Sequence, residues 1–280
     1  MMNVNGYLTR LANNAIIRDA EKDSITRSIN TISSRLNSYF DKEIGSHFIF
    51  GSYTRGTILP RSMDQKSDVD YLIQFSDSTF KPQTYLDRLR RFVNANYPSS
   101  QIKQSNPTLV LELNHIKFEL VPAIETFFDG LKIPASQSSF NDWMSTSPND
   151  INQSLIRVNK NNNNLIKPLI RLMKYWNAKN GYPFASFELE KNVISQFDYV
   201  LPGLLGYQSL ENKLYTAVEG LEYSFLDPNY KVNAVQRLQN NIRSIKDERA
   251  AGLDDLALMK IKRIFPENNS LISSLLSRGL

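Results

Sequence analysis

The reading of the chain turns on Phe50-Gly51-Ser52-Tyr53-Thr54-Arg55-Gly56-Thr57 and, after a polar loop, Ser67-Asp68-Val69-Asp70-Tyr71-Leu72-Ile73. A small-residue turn comes first, and a strand that opens on two carboxylates in an i, i+2 relation follows. Side chains alternate faces along a strand, so Asp68 and Asp70 project to the same side. Two carboxylates held side by side repel one another unless a cation sits between them. Hard oxygen ligands of this kind suit Mg²⁺, which completes its shell with water and phosphate oxygens. Gly51 and Ser52 would offer backbone N–H groups and a hydroxyl to those phosphates. By itself an Asp-x-Asp is weak evidence, since many such pairs cap turns or sit in solvated loops.

The combination says more, because a third carboxylate stands nearby. Thr108–Leu113 and Ile116–Val121 read as a hairpin turning at Asn114-His115, with Pro122 closing its second strand. Within that strand Phe118 and Leu120 share one face, and Lys117, Glu119 and Val121 the other. An ionised Glu in an otherwise apolar strand is costly unless it is paired or metal-bound. Its bland alternative is a salt bridge with Lys117 on the same face. Carboxylates converging from neighbouring strands are what a two-metal phosphoryl transfer requires, so the candidate catalytic and metal-binding set is Asp68, Asp70 and Glu119. Glu125 and Asp129 read as surface charges.

Outward from this centre, apolar spacing predicts a short helix over residues 3–17 and a long one over 20–43, carrying Ile25, Ile29, Ile32, Leu36 and Phe40 on one stripe and ending at Gly45. His47 to Phe50 reads as a short buried strand, residues 69–75 as another, and 82–96 as a helix with Tyr85, Leu89, Phe92 and Val93 inward. His47 reads as a strand-edge residue and His115 as a solvated turn residue, neither as a ligand. Beyond about 150 the character is helical: 150–160, 165–179 with Pro168 in its first turn and Gly181 as stop signal, then 186–200, 208–219, 231–247, 253–265 and a tail helix at 270–278. On 165–179, Leu165, Leu169, Met173 and Trp176 form the apolar face, while Arg171 and Lys174, at i, i+3, fall together on the other. A solvated helix face is the plain alternative for Arg171, as a core aromatic is for Phe187. The expected class is α+β: residues 1–150 with a mixed sheet and helices, residues 151–280 a helical bundle, and an active cleft between two lobes.

Composition excludes other chemistry. The 280 residues contain no cysteine and only two histidines, which rules out disulfides and thiolate sites and argues against zinc or His-based triads. A net charge of +5 is a mild excess that suits an anionic substrate without implying a nucleic-acid surface. No apolar leader or membrane-length run is present, so a soluble, cytoplasmic protein is expected.

Gly51-Ser52-Tyr53-Thr54-Arg55-Gly56-Thr57 with Asp68-Val69-Asp70 resembles the signature of the polymerase-β-like nucleotidyltransferase superfamily. The Arg-Gly-Thr extension and Phe118-Glu119-Leu120-Val121-Pro122-Ala123 are similar to the branch of oligoadenylate synthases and cyclic GMP-AMP synthase, and most of all to the cGAS/DncV-like nucleotidyltransferases of bacterial anti-phage signalling. Leu169 to Asn177, Pro183 to Glu190, Leu226-Asp227-Pro228 and Ala250 to Pro266 extend the likeness over most of the chain. The resemblance implies synthesis of a cyclic di- or trinucleotide second messenger from ribonucleoside triphosphates, with two Mg²⁺ ions for which Mn²⁺ can substitute. It places Gly51, Ser52, Lys174 and Ser186 on the triphosphate, Phe187 against a nucleobase, and Arg171 beside Lys174. It implies a downstream effector that senses the product, room for a regulatory protein partner, and a monomer; the mild basicity, with no concentrated Lys/Arg cluster, argues against direct activation by nucleic acid, and no membrane is expected. One departure is Glu119, where the family usually has Asp. Two other readings stay open: transfer of a single nucleotide to tRNA, protein or a small molecule, and a catalytically silent nucleotide-binding subunit.

Overall fold

A computed structural model describes residues 2–105, 108–127, 130–135, 142–198 and 209–267. The chain runs α1 (Val4–Asn14), α2 (Asp19–Phe40), β1 (Ile44–Phe50), α3 (Gly51–Arg55), β2 (Asp68–Phe75), α4 (Pro82–Asn96), β3 (Gln101–Ser105), β4 (Thr108–Glu112), β5 (Lys117–Thr126), β6 (Gly130–Pro134) and β7 (Trp143–Ser145). The helices α5 (Pro148–Asn161), α6 (Ile166–Lys179), α7 (Ser186–Asp198), α8 (Leu210–Glu219), α9 (Asn229–Ala250) and α10 (Asp254–Ile264) follow. Two compact units result. One comprises Ile17–Arg61 and Lys66–Asp150; the other comprises Met1–Ile16, Ser62–Gln65 and the described part of Ile151–Leu280. The first unit ends at Asp150. However, α1 groups with the helical unit, because Tyr7, Leu8, Leu11 and Ala12 are buried and α1 packs on α6, α8 and α10.

The first unit is built on a sheet of order β1-β2-β5-β4-β3, with β6 paired to β5 and β7 to β6. β2 and β5 are parallel, and the other pairs are antiparallel. On one face, Val69, Tyr71, Ile73 and Phe75 of β2 and Phe118 and Leu120 of β5 form a continuous core with Ile25, Ile32, Leu36 and Phe40 of α2 and Tyr85, Leu89, Phe92 and Val93 of α4. These are the stripes that the 3.6-residue spacing of the two helices predicts.

Several local expectations need correction. Helix α2 stops at Phe40, where Asp41 leaves helical geometry with φ +46° and ψ −114°, and a 3₁₀ turn over Asp41–Glu43 follows. Gly45 lies inside β1 at a register shift between Ile44 and Ser46, which is the use of strand glycine at a bulge. β1 is an edge strand with most of its residues partly or fully exposed, not a buried one. Pro122 does not close β5, which continues to Thr126. It sits where the ladder with β4 has ended at Leu120 and the ladder with β6 begins at Ile124, while the parallel ladder with β2 runs on past it, opposite Ile73. His115 is not simply solvated: its Nε2 lies 3.1 Å from the Ser28 hydroxyl. His47, at the edge as expected, bonds the Tyr71 hydroxyl and Asn37. The loop before Asp68 is less polar in effect than in sequence, since Ile58, Leu59 and Met63 are buried. The expected tail helix at 270–278, the last residues of 186–200, residue 208 and Asp129 lie outside the described residues.

Candidate active site

The carboxylates are placed by strand parity and register. Asp68, Asp70 and Glu119 alternate with the core-facing Val69, Tyr71, Phe118 and Leu120, and therefore stand on the sheet face away from α2 and α4. In the parallel β2–β5 ladder Asp70 lies directly beside Glu119, and Asp68 beside Lys117. Glu119 is not spent on Lys117. That lysine turns to Glu112, 3.5 Å away, and Glu112 also lies 3.6 Å from Arg61. Glu119 instead accepts a hydrogen bond from the Thr108 hydroxyl at 3.4 Å.

The electrostatics of Glu119 follow from this setting. Burial raises its pKa first, and the neighbouring negative charge of Asp70 raises it further; hydrogen bonds with Thr108 and Asp68 pull it partly back. Three carboxyl groups brought onto one sheet face form an oxygen-only set whose crowded negative charge suits a hard divalent cation. Among the described residues no three His, Cys, Asp or Glu side chains are already gathered at coordinating geometry, so the fit rests on the chemistry of the donors.

Gly51 follows Phe50, which pairs with Asp70 across β1–β2. Its φ is +75°, and a Cβ built there would stand 1.8 Å from Asp70 Oδ2 and 2.7 Å from its Cγ. Glycine is thus required twice over, by the backbone and by the carboxylate lying against it. Ser52 is the next residue in α3, and its carbonyl accepts from the N–H groups of Thr57 at 3.0 Å and Ile58 at 3.1 Å, closing the turn through Gly56 (φ +69°). The turn expected from sequence is therefore the opening of a short helix.

The other expected ligands belong to the helical unit. α6 has no solvated cationic face: Arg171 is 6% and Lys174 5% exposed, in a helix buried almost throughout from Ile166 to Asn177. Arg171 Nε donates to the Ala12 carbonyl at 3.1 Å, one of the last carbonyls of α1 that lack a helical partner. Burial pulls Arg171 down to about 10, so it stays protonated at neutral pH. Met173 and Trp176 are core residues as expected. Ser186 opens α7 and is exposed, and Phe187 beside it is 55% exposed, which removes the core reading of that ring. Sequence reasoning missed Thr108, whose place beside Glu119 becomes legible only when β4 is registered against β5. It also missed the contact of Gly51 with Asp70.

Residues 2–159, more than half of the chain, match the Second Messenger Oligonucleotide or Dinucleotide Synthetase domain. A cyclic AMP-AMP-AMP synthase from Acinetobacter sp. (strain ATCC 27244 / 9458) is 27% identical over 152 residues, 52% of this chain and 43% of that protein. The chain thus matches less than half the length of that relative. The Vibrio cholerae DncV cyclic AMP-GMP synthase superposes with a TM-score of 0.70 at 12% identity, covering 91% of this chain and 93% of that one. CdnC from E. coli MS115-1 with ATP gives 0.67 at 15% identity over 93% and 97%, and its CdnC:HORMA-deltaN complex gives 0.66 at 15% over 92% and 96%. At these identities the structural likeness establishes the fold, a polymerase-β-like sheet with a helical C-terminal region. Together with the motifs on β2 and β5, the match places this chain in the second messenger oligonucleotide or dinucleotide synthetase family, the cGAS/DncV-like nucleotidyltransferases.

Proposed function

We propose that the chain is a template-independent nucleotidyltransferase that joins ribonucleoside triphosphates into a cyclic di- or trinucleotide second messenger, in the setting of anti-phage defence. The observation that carries this reading is the placement of Asp68, Asp70 and Glu119 on one sheet face, with Gly51 packed against Asp70. An acceptor hydroxyl attacks the donor α-phosphate, a new O–P bond forms, the bond to the β-phosphate oxygen breaks, and pyrophosphate leaves. Two Mg²⁺ ions, for which Mn²⁺ can stand in, would supply charge neutralisation and a more acidic acceptor hydroxyl when bound by the three carboxylates. Glu119 would complete the activating site and assist deprotonation of that hydroxyl. Asp70 is fixed against Gly51, so its carboxylate needs little reorganisation. The Ser52 hydroxyl, with Lys174 and Ser186, is assigned to the triphosphate, and Phe187 to a nucleobase. The relatives named above as cyclic AMP-AMP-AMP and cyclic AMP-GMP synthases, and the ATP complex of CdnC, support nucleotides as substrates. CdnC with HORMA-deltaN supports a regulatory protein partner.

The test is incubation of the purified protein with labelled ATP, GTP, CTP and UTP plus Mg²⁺ or Mn²⁺, followed by phosphatase treatment and chromatography. A phosphatase-resistant cyclic product is expected. Label found only on an added tRNA, protein or small-molecule acceptor would replace the cyclase reading with single-nucleotide transfer, and inertness under all conditions would oppose catalysis.

A further inference from the structure

Four non-glycine residues among those described have positive φ, and three of them are Asp41, Asn163 and Asn164, of the residue types most often found at positive φ. The fourth is Tyr182, at φ +59°. A bulky aromatic residue in this region is a true outlier, and such strain persists only where its surroundings over-determine it. The surroundings of Tyr182 do so. The buried Asn177 side chain donates to the Phe184 carbonyl at 2.9 Å and accepts from the Phe184 N–H at 3.0 Å, and the Tyr182 N–H donates to the Asn177 carbonyl at 2.9 Å. This clip fixes the turn Gly181 to Phe184, and the strained residue is thereby aimed. Its hydroxyl donates to Asp64 Oδ1 at 2.6 Å.

Asp64 is only 6% exposed and lies in Ser62–Gln65, the short segment that groups with the helical unit although it interrupts the other unit in sequence. That segment stands between the Gly51-Ser52 turn and Asp68, and only Gln65, Lys66 and Ser67 separate Asp64 from the first metal-site carboxylate. Met63 beside it is buried, so the segment is anchored by one apolar and one polar residue. The C-terminal side of the same strained turn leads within a few residues to Ser186 and Phe187 at the start of α7.

We propose that Tyr182 is a positioning residue: through its hydrogen bond to buried Asp64 it sets the path of residues 61–67 and thereby the placement of Asp68 and Asp70 for divalent-cation binding. The strain at Tyr182 is the cost of directing its hydroxyl at that carboxylate. This rests on the metal-carboxylate reading of the site given above, and the experiment keeps the two separable.

Mn²⁺ affinity is measured by titration calorimetry on the intact chain for wild type, Tyr182→Phe, Asp64→Asn and Asp64→Ala, with hydrogen exchange of residues 58–67 followed in parallel. Tyr175→Phe serves as a structural control, since that hydroxyl makes a comparable hydrogen bond, 2.7 Å to the Pro266 carbonyl, remote in sequence from the carboxylates. Tyr182→Phe and Asp64→Ala should weaken Mn²⁺ binding about tenfold, the scale of a lost hydrogen bond to a charged group, and speed exchange in 61–67. Asp64→Asn, whose amide oxygen still accepts from Tyr182 in a weaker, uncharged hydrogen bond, should fall between wild type and Asp64→Ala in both readouts. Tyr175→Phe should lower thermal stability without changing Mn²⁺ affinity. Equal Mn²⁺ affinity in wild type and Tyr182→Phe, or a loss no larger than that of Tyr175→Phe, would overturn the proposal. Absence of nucleotide turnover in wild type with Mn²⁺ binding intact would count against the proposed function and leave this comparison standing, whereas absence of Mn²⁺ binding in wild type would overturn both.

Discussion

Replacing Gly51 by alanine tests whether the glycine that opens α3 and the Asp70 carboxylate form one object. The added Cβ would fall 1.8 Å from Asp70 Oδ2, 2.7 Å from Cγ and 3.1 Å from Cβ. Rotation of the carboxylate about its terminal bond cannot clear this overlap, because Cγ and Cβ are crowded as well; the whole side chain must swing or the β1–α3 junction must shift. The backbone adds a further penalty, since φ is +75° and a left-handed conformation costs an L-residue about 1–2 kcal/mol. With about 1–3 kcal/mol for overpacking, the variant should lose stability measurably in urea denaturation. The larger effect should fall on function. A misplacement of about 1 Å in a reacting constellation can cost about 100-fold, so pyrophosphate release should drop by about that factor or more, with weakened Mn²⁺ binding. Gly51→Ala with wild-type turnover and wild-type Mn²⁺ affinity would refute the argument that Asp70 is fixed by this contact.

Glu119 predicts a pH effect with a definite sign. Its folded-state pKa is raised above the ordinary carboxyl value of 4.5, so the folded chain holds the proton more tightly than the unfolded one. Stability should be fully present below 4.5, fall as pH rises through the raised value in chelator-treated protein, and be restored by Mg²⁺; Glu119→Gln should flatten the profile, read by urea titration between about pH 4 and 7. Phe187→Ala should leave the melting temperature unchanged, because the ring is more than half exposed, and raise the nucleotide KM by about tenfold if it stacks on a base, within the ~1–3 kcal/mol of base–aromatic stacking. Arg171→Met should cost about 1–3 kcal/mol by leaving the Ala12 carbonyl without its donor, seen as a lower melting temperature with nucleotide KM within about twofold of wild type if its role is confined to α1.

What could be read from the residues, and what could not, divides along physical lines. α4 appears at the predicted 82–96 because Pro82 fixes its first turn and Tyr85, Leu89, Phe92 and Val93 form an uninterrupted stripe. Asp68, Asp70 and Glu119 were found because a carboxylate inside an apolar alternation stands out against its neighbours. β3, β6 and β7 were not read at all. Gln101–Ser105 is polar and alternates between exposed and half-buried, and the other two, of five and three residues, are too short for an apolar period to stand out. The burial of Arg171 and Lys174 was equally hidden, since helical spacing shows which residues share a face but not that a second set of helices covers it. Tyr182 carries no sequence signal beyond following Gly181. Its conformation emerges only from the Asn177 clip and the distant Asp64.

The claim that Asp68, Asp70 and Glu119 form a nucleotidyl-transfer centre is tested most directly by pyrophosphate release from ribonucleoside triphosphates in wild type and Asp70→Asn, assayed with saturating Mg²⁺ or Mn²⁺ and with thermal unfolding measured alongside. Wild type should release pyrophosphate and accumulate a phosphatase-resistant product. Asp70→Asn should unfold at nearly the wild-type temperature while its rate falls by about 1,000-fold or more, as expected when a ligand to both catalytic ions is lost. An Asp70→Asn protein that consumes nucleotides at the wild-type rate would contradict the assignment.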